Sequence, residues 1–397
     1  MTTIGIISEY NPFHFGHLGH IEKSKEKIGG ECAVVCVMSG NYVQRGDAAI
    51  FNKSARAKAA VCAGVDLVIE LPASYALSSA EGFARAGVFL LEALGVCDVI
   101  SFGSESGELA PLFDVAQVLI SGEAGRLLSE GLGLGISYAA AQQRAADIIM
   151  GERAFCLRFP NNLLGIEYLK AITLLKSKLI PVTVTRTGGK HDSDEGFSAS
   201  RLRMLFSEGK EPWFLMPDAA ADVLREETKQ NRGPVLMCGL EQAMLSRLRA
   251  AGDFSKLPDA SEGLDNRFKR FSGEPTIQMV QDGIKTKRYA MSRIRRMLMC
   301  ACLGITAEDS KQLPPYIRVL AMNETGKVLL SRAKKIASLP IITKPAYAKK
   351  LEGRARELFY KEAAATDFYA LGYKDSESRR SGSEWRQSPY VHDKFIF

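Results

Sequence analysis

Four nearly continuous apolar runs in the first hundred or so residues constrain this chain more than any other feature. TIGIIS (3–8), AVVCVM (33–38), DLVIEL (66–71) and DVISFG (98–103) have the β-branched bias of strands. Between them lie stretches of helical length at 16–27, 53–64 and 78–94. Strands that are apolar on both faces and joined by crossover helices imply a parallel sheet with helices on both sides. Such a sheet receives ligands outside the carboxyl ends of its strands. After a mainly helical insertion over 108–178, IPVTVTR (180–186) supplies a late strand, and a loop rich in Gly and Asp follows at 187–196, with His191 and Asp192 in it. FSASRLRMLF (197–206) then opens a helix with Ser198 or Ser200 as N-cap. From about 210 the pattern is mostly helical, ending in a polar loop at 374–389.

The turn after the first strand is therefore the place to look for chemistry, and it holds three of the five histidines: His14, His17 and His20. Zinc would need three or four ligands, and no Cys or carboxylate is spaced to complete such a set, so no metal ligands are assigned. A pair of satisfied histidines at a helix start is one alternative. The other is an anion site. Free N–H groups and a partial positive charge gather at a helix N-terminus, Gly16 admits a ligand close to the backbone, and imidazoles donate to phosphate oxygens. On these grounds the turn is read as a site for a nucleotide phosphate.

Charge divides the chain. Residues 1–205 carry a net charge of −2 and the remainder +9. Between Asn266 and Arg296 there are nine Lys or Arg and two acids. Within that stretch Lys285, Lys287 and Arg288 precede Tyr289, and Arg293, Arg295 and Arg296 follow it. Such a run is either a solvated face or a phosphate-backbone surface. Arg45 and Lys53, in the polar stretch SGNYVQRGDAAIFNK (39–53), are set to meet phosphate or RNA, or to form an internal ion pair with Asp47. No secretory signal or membrane span is read, and the eight scattered cysteines lack zinc-type spacing, which suits reduced thiols in a cytoplasmic protein.

His14-Phe15-Gly16-His17 after a first strand resembles the H-x-G-H motif of the nucleotidyltransferase superfamily, and FSASRLR (197–203) has the form of that superfamily's second signature. In that comparison Ser200 stands for a phosphate-contacting hydroxyl and Arg203 for the closing arginine. Longer blocks, among them EYNPFHFGH, MSGNYVQRGDAAIFNKSARAKAA, GVDLVIELP, PNNLLGIEYLKA and IKTKRYAMSRIRRML, occur in order from residue 4 to about 372. Together they resemble the bacterial tRNA(Met) cytidine acetate ligase family, which usually has Asn where this chain has Phe15.

The resemblance implies an α/β fold: a Rossmann-like, parallel-sheet nucleotidyltransferase domain over 1–207, followed by a mostly helical, basic, tRNA-binding region over 208–397. It implies an ATP-dependent ligase that makes acetyl-adenylate from acetate and acetylates N4 of the wobble cytidine of elongator tRNA(Met). His14, His17 and Arg203 are the expected catalytic residues. The nucleotide would lie along Ile7, Ser8, Glu9, Tyr10, Asn11, Pro12, Phe13, His14, Phe15, Gly16, His17 and His20. Gly103, Asn161, Asn162, Arg186 and Ser200 would complete that site. Arg45, Lys53, Lys285, Lys287, Arg288, Arg293 and Arg296 are the expected RNA contacts. ATP is a substrate, and Mg²⁺ is expected on its phosphates with no protein ligands assigned. No membrane or protein partner is implied. The rival readings are a small-molecule adenylyltransferase, which leaves the basic half without a purpose, and a non-catalytic RNA-binding protein on the same scaffold.

Overall fold

The computed structural model describes residues 1–185 and 198–392. Among them, eight strands form one sheet: β1 (Thr2–Ser8), β2 (Cys32–Ser39), β3 (Leu67–Leu71), β4 (Val99–Ser104), β5 (Ile180–Thr185), β6 (Ile317–Asn323), β7 (Ile341–Ile342) and β8 (Tyr390–His392). The order is β5-β4-β1-β2-β3-β6-β7, with β8 also paired to β6. β1 to β5 run parallel, with Ile6 opposite Cys36 and Gly103 opposite Val184. All five strands expected from the apolar runs are present, and the α/β class follows from them.

Alternate residues of each strand feed the two faces. Val34, Cys36 and Met38 of β2 join one core, and Ala33, Val35 and Val37 join the other. Helices α1 (Phe15–Ile28) and α2 (Lys53–Cys62), with the helix Asp218–Lys229, cover the first face. Ala80–Leu94, Pro160–Leu175 and Glu324–Ile336 cover the second. Contact between β1 and the Ala80–Leu94 helix is close enough to demand glycine. A Cβ on Gly5 would lie 2.7 Å from Leu91, and one on Gly87 would lie 2.7 Å from Ile7.

The region after 207 is mostly helical, as its pattern indicates, but it also returns three strands, β6, β7 and β8, to the sheet. β6 runs antiparallel to β3, with Leu67 opposite Met322 and Val68 opposite Ala321. Arg318 interrupts its apolar run, which hides the strand in the sequence pattern. The guanidinium is accommodated inside, 3.5 Å from Glu384 and donating to the Gln387 carbonyl at 2.9 Å. A third core joins Met237–Ala251, Leu264–Phe271, Ile277–Ile284, Met291–Leu303 and Gly353–Ala370 to Tyr42, Ala48, Ala73 and Leu77. Those four residues lie in or beside the segments after β2 and β3. The C-terminal helices therefore sit against the carboxyl edge of the sheet. None of the helices among the described residues is long and apolar enough to cross a membrane.

Candidate active site

β1 has β2 on one side and β4 on the other, so the chain changes direction across the sheet at this point, and in such a sheet ligands bind at the carboxyl ends of the strands on either side of that reversal, here β1 and β4. Residues 9–14 follow β1 at this edge. Tyr10 takes a left-handed backbone, φ 43°, rare for a residue with a side chain, and the Asn11–Pro12 peptide bond is cis. The buried Tyr10 ring sits 4.8 Å from Phe13 and 4.9 Å, edge-on, from His17. Asn11 Oδ1 accepts the Ile50 N–H at 2.8 Å, which ties this turn to the loop over 40–50.

His14 is the N-cap of α1. Its Nδ1 accepts the Gly16 N–H at 3.0 Å, and His17 Nδ1 accepts the His14 N–H at 3.2 Å. The two rings reproduce a capping box with imidazoles, 3.8 Å apart and tilted by 31°. This explains the i, i+3 spacing. With both Nδ1 atoms accepting, each neutral ring carries its proton on Nε2. His14 is 3% exposed and His17 half-buried, while Phe15 is exposed between them. His20, a turn further along, has Nε2 3.1 Å from Ser101 Oγ on β4, and Ser24 Oγ is 2.6 Å from the same hydroxyl.

Ser198, not Ser200, caps the helix Ala199–Ser207, accepting the Arg201 N–H at 3.2 Å. Ser200 lies in the first turn and accepts from Arg203 Nη2 at 3.2 Å, and Arg203 Nη1 donates to the Asn11 carbonyl at 2.8 Å. The late motif is thus joined to the first turn. Burial lowers the Arg203 pKa from the usual arginine range, against the pull of Glu9 and Asp47. Burial likewise pushes Glu9 above the usual carboxylate range. Opposing that push are the Gln44 N–H, which donates to Glu9 Oε1 at 2.7 Å, and the charges of Arg203, Arg56 and Arg45.

Arg56 was not anticipated from sequence. Wholly buried, it donates to the carbonyls of Glu9, Phe51 (2.9 Å), Ser39 (3.1 Å) and Gly40, and so clamps the turns after β1 and β2 together. The available signal was an arginine set between Ala55 and Ala57 on α2, a helix that also carries Lys53 and Lys58.

Gly103 is half-buried near the carboxyl end of β4. Asn162 Oδ1 accepts the Glu105 N–H at 3.0 Å and its Nδ2 donates to the Cys156 carbonyl at 3.0 Å; Asn161 Nδ2 donates to Glu105 Oε1 at 2.6 Å. The asparagine pair therefore fastens the loop after β4. Arg186, His191 and Asp192 lie outside the described residues.

The expected RNA residues divide. Arg45, Lys285 and Lys287 are exposed and Arg288 is half-exposed, 3.5 Å from Glu262. Lys53 requires correction: it is 3% exposed, with Nζ 2.7 Å from both Glu70 and Glu384, where RNA does not reach. Arg296, 7% exposed, pairs with Asp259 at 3.0 Å, and Arg293 pairs with Glu262 at 2.6 Å, so these two hold the 259–262 loop onto their helix. Asp47 pairs with Arg295 at 3.6 Å rather than with Lys53. Among the described residues no group of three His, Cys, Asp or Glu side chains is placed to hold a metal ion.

A parallel sheet, an imidazole-capped helix at its reversal point and an arginine converging on the same turn define an α/β nucleotidyltransferase. The chain matches the family described as HIGH Nucleotidyl Transferase over residues 1–384. It is 41% identical over 390 residues to a tRNA(Met) cytidine acetate ligase of Caldanaerobacter subterraneus subsp. tengcongensis, covering 94% of this chain and 96% of that protein. With the Acetivibrio thermocellus protein of the same name the identity is 39% over 415 residues, covering 98% and 99%. A crystal structure of Thermotoga maritima TmcAL bound with alpha-thio ATP superimposes with a TM-score of 0.91 at 31% identity, covering 99% of this chain and all of that one. This chain belongs to the tRNA(Met) cytidine acetate ligase family.

Proposed function

We propose that this protein joins acetate to ATP as acetyl-adenylate and transfers the acetyl group to N4 of the wobble cytidine of elongator tRNA(Met). The observation that carries this reading is the Arg203–Asn11 hydrogen bond of 2.8 Å, which brings the late motif onto the imidazole-capped turn. ATP lies along residues 7–20, with its phosphates at the α1 N-terminus and its adenosine beside Gly103 and the Asn161–Asn162 block. An acetate oxygen attacks the α-phosphorus, the bond to the β-phosphate oxygen breaks, and diphosphate leaves. Negative charge grows on the phosphate oxygens, where Nε2–H of His14 and His17 and the Arg203 guanidinium act as fixed donors, with Ser200 beside them. The cytidine amine then attacks the acetyl carbonyl carbon. The N–C bond forms, the C–O bond to the phosphate breaks, the amine loses a proton and AMP departs.

Arg45, Lys285, Lys287 and Arg288 meet tRNA phosphates in this reading, and the setting is the cytoplasm. The described side chains offer no carboxylate cage for Mg²⁺, so that ion would arrive on the ATP phosphates with its own water. The test supplies ATP and labelled acetate with and without tRNA. Label should enter acetyl-adenylate without tRNA, and N4-acetylcytidine when elongator tRNA(Met) is added. Absence of label from both products would overturn the proposal.

A further inference from the structure

One surface away from the adenylate site combines exposed rings with cations that form no ion pair. It is built from the short helix Pro345–Ala348 and the outer face of Gly353–Ala370. Tyr347 is 45% exposed and Tyr360 50% exposed, large values for aromatic rings. Lys350 Nζ lies 6.0 Å from the centre of the Tyr347 ring, and the Arg356 guanidinium 5.6 Å from that of Tyr360. Lys344, Lys349, Lys350 and Arg356 are all exposed and, among the described residues, unpaired with any carboxylate. This distinguishes them from Arg293 and Arg296, whose carboxylate partners lie in their own chain. Gly353, Arg356, Glu357, Tyr360 and Lys361 line a shallow depression on the same face.

The inner face of the long helix is firmly held. Glu362 accepts the Ala73 N–H at 2.8 Å, the Ala365 carbonyl accepts from the Tyr42 hydroxyl at 2.7 Å, and the Tyr369 hydroxyl donates to the Ala49 carbonyl at 2.8 Å. These bonds fix the helix to the segments after β2 and β3. Its outer residues 353, 356, 357, 360 and 364 follow helical spacing along one side.

Cations alone would make a solvated face, and rings alone would make an apolar patch. Interleaved, they match a single-stranded polyanion whose bases each present a π-face. We propose that this face is a second RNA-contact surface, where unpaired bases of the substrate tRNA stack on Tyr347 and Tyr360 while Lys344, Lys349, Lys350 and Arg356 meet its phosphates. The inference rests on the tRNA reading above.

The full-length protein is titrated with elongator tRNA(Met) at several salt concentrations, beside tRNA-free acetyl-adenylate formation. Tyr347→Ala should weaken tRNA binding by about 5- to 150-fold, the range for one stacked base, and Tyr347→Phe should preserve it. The double variant Lys349→Ala/Lys350→Ala should shallow the slope of log affinity against log salt by about 0.7–0.9 per residue. Adenylate formation should be unchanged in all three. Tyr360 packs edge-on against Trp385 at 5.1 Å, so its replacement also disturbs packing, and Tyr347 is the deciding position. If the wild-type protein acetylates tRNA while Tyr347→Ala and the double lysine variant bind it normally, this surface is wrong and the ligase reading stands. If Tyr347→Ala binds normally and the lysine pair alone matters, the face meets tRNA phosphates without stacking bases, and the stacking proposal is overturned. If the wild type acetylates no tRNA, both readings fall.

Discussion

Replacing Lys53 with Met separates a buried structural charge from an RNA contact. Lys53 Nζ lies 2.7 Å from Glu70 Oε1 on β3 and 2.7 Å from Glu384 Oε2 in the chain before β8, and all three side chains are at most 3% exposed. Arg318 stands 3.5 Å from Glu384 Oε1, and Thr366 Oγ1 donates to Glu384 Oε2 at 3.1 Å. Burial alone would discharge Lys53, but Glu384, Glu70 and Glu362 around it outweigh that and raise its pKa above the usual lysine range. Methionine fills the space without the charge and leaves two carboxylates facing each other. Breaking a buried pair in this way costs about 3–5 kcal/mol. With an unfolding entropy of about 2.1 cal/mol/K per residue, that lowers Tm by roughly 4–6 °C for a chain of this length unfolding as one unit. The loss should shrink toward pH 5, where the unpaired carboxylates take up protons. Thermal melts by circular dichroism measure it, alongside tRNA binding across a salt series well below Tm. An unchanged Tm together with a shallower salt slope would place Lys53 on RNA and refute the reasoning.

Three further outcomes are expected. His17→Ala should lower acetyl-adenylate formation by about 10²–10³ while the protein stays folded, and near-normal turnover would remove His17 from the mechanism. Arg203→Ala should impair adenylation and leave tRNA affinity largely intact, so the reverse pattern in a binding assay and an adenylation assay would assign it to the other half of the reaction. Glu362 is pushed up to about 8, by burial first and then by Glu70. Because its folded pKa lies above the ordinary 4.5, its contribution to stability is full below 4.5 and is lost as pH rises toward 8. Glu362→Gln keeps the oxygen that accepts the Ala73 N–H, so its Tm should gain on the wild type across that window. Parallel Tm curves would count against this account.

What the sequence made legible depended on whether the cause was local. The strands of the first half were readable because a buried parallel strand is apolar on both faces over its whole length. The turn after β1 could be singled out as a candidate site because a sheet's carboxyl edge, a glycine and two histidines fall within a few residues. The mutual capping of His14 and His17 was less readable, since imidazole is an unusual capping side chain. The charged residues were hardest to place. Lys53 and Arg45 look alike in a polar loop, and only the fold brings Glu384, far along the chain, onto one of them. The guanidinium of Arg56 is satisfied entirely by carbonyls, which carry no letter in a sequence. β6 was missed for the same reason, because the partner that lets Arg318 sit inside a strand is Glu384 again.

The loop over 40–50 joins the turn after β1 to the basic helix Met291–Leu303. Gly46 has φ +85°, and a Cβ there would lie 2.4 Å from the backbone of both Arg295 and Arg296. The loop therefore rests directly on the main chain of the Met291–Leu303 helix. At the next residue, Asp47 is held above the usual carboxylate range by burial, against the opposing charges of Arg295, Arg203 and Arg45. One carboxylate thus feels at once a cation from the basic helix and Arg203, which closes on the turn after β1. On its inner side the same loop gives the Gln44 N–H to Glu9 and the Ile50 N–H to Asn11, on whose carbonyl Arg203 closes. A displacement of the helix backbone has no slack at Gly46 to absorb it, and it reaches the turn that holds Arg203 through two hydrogen bonds. The two halves share a wall, so a charge brought to one falls within the field of the other.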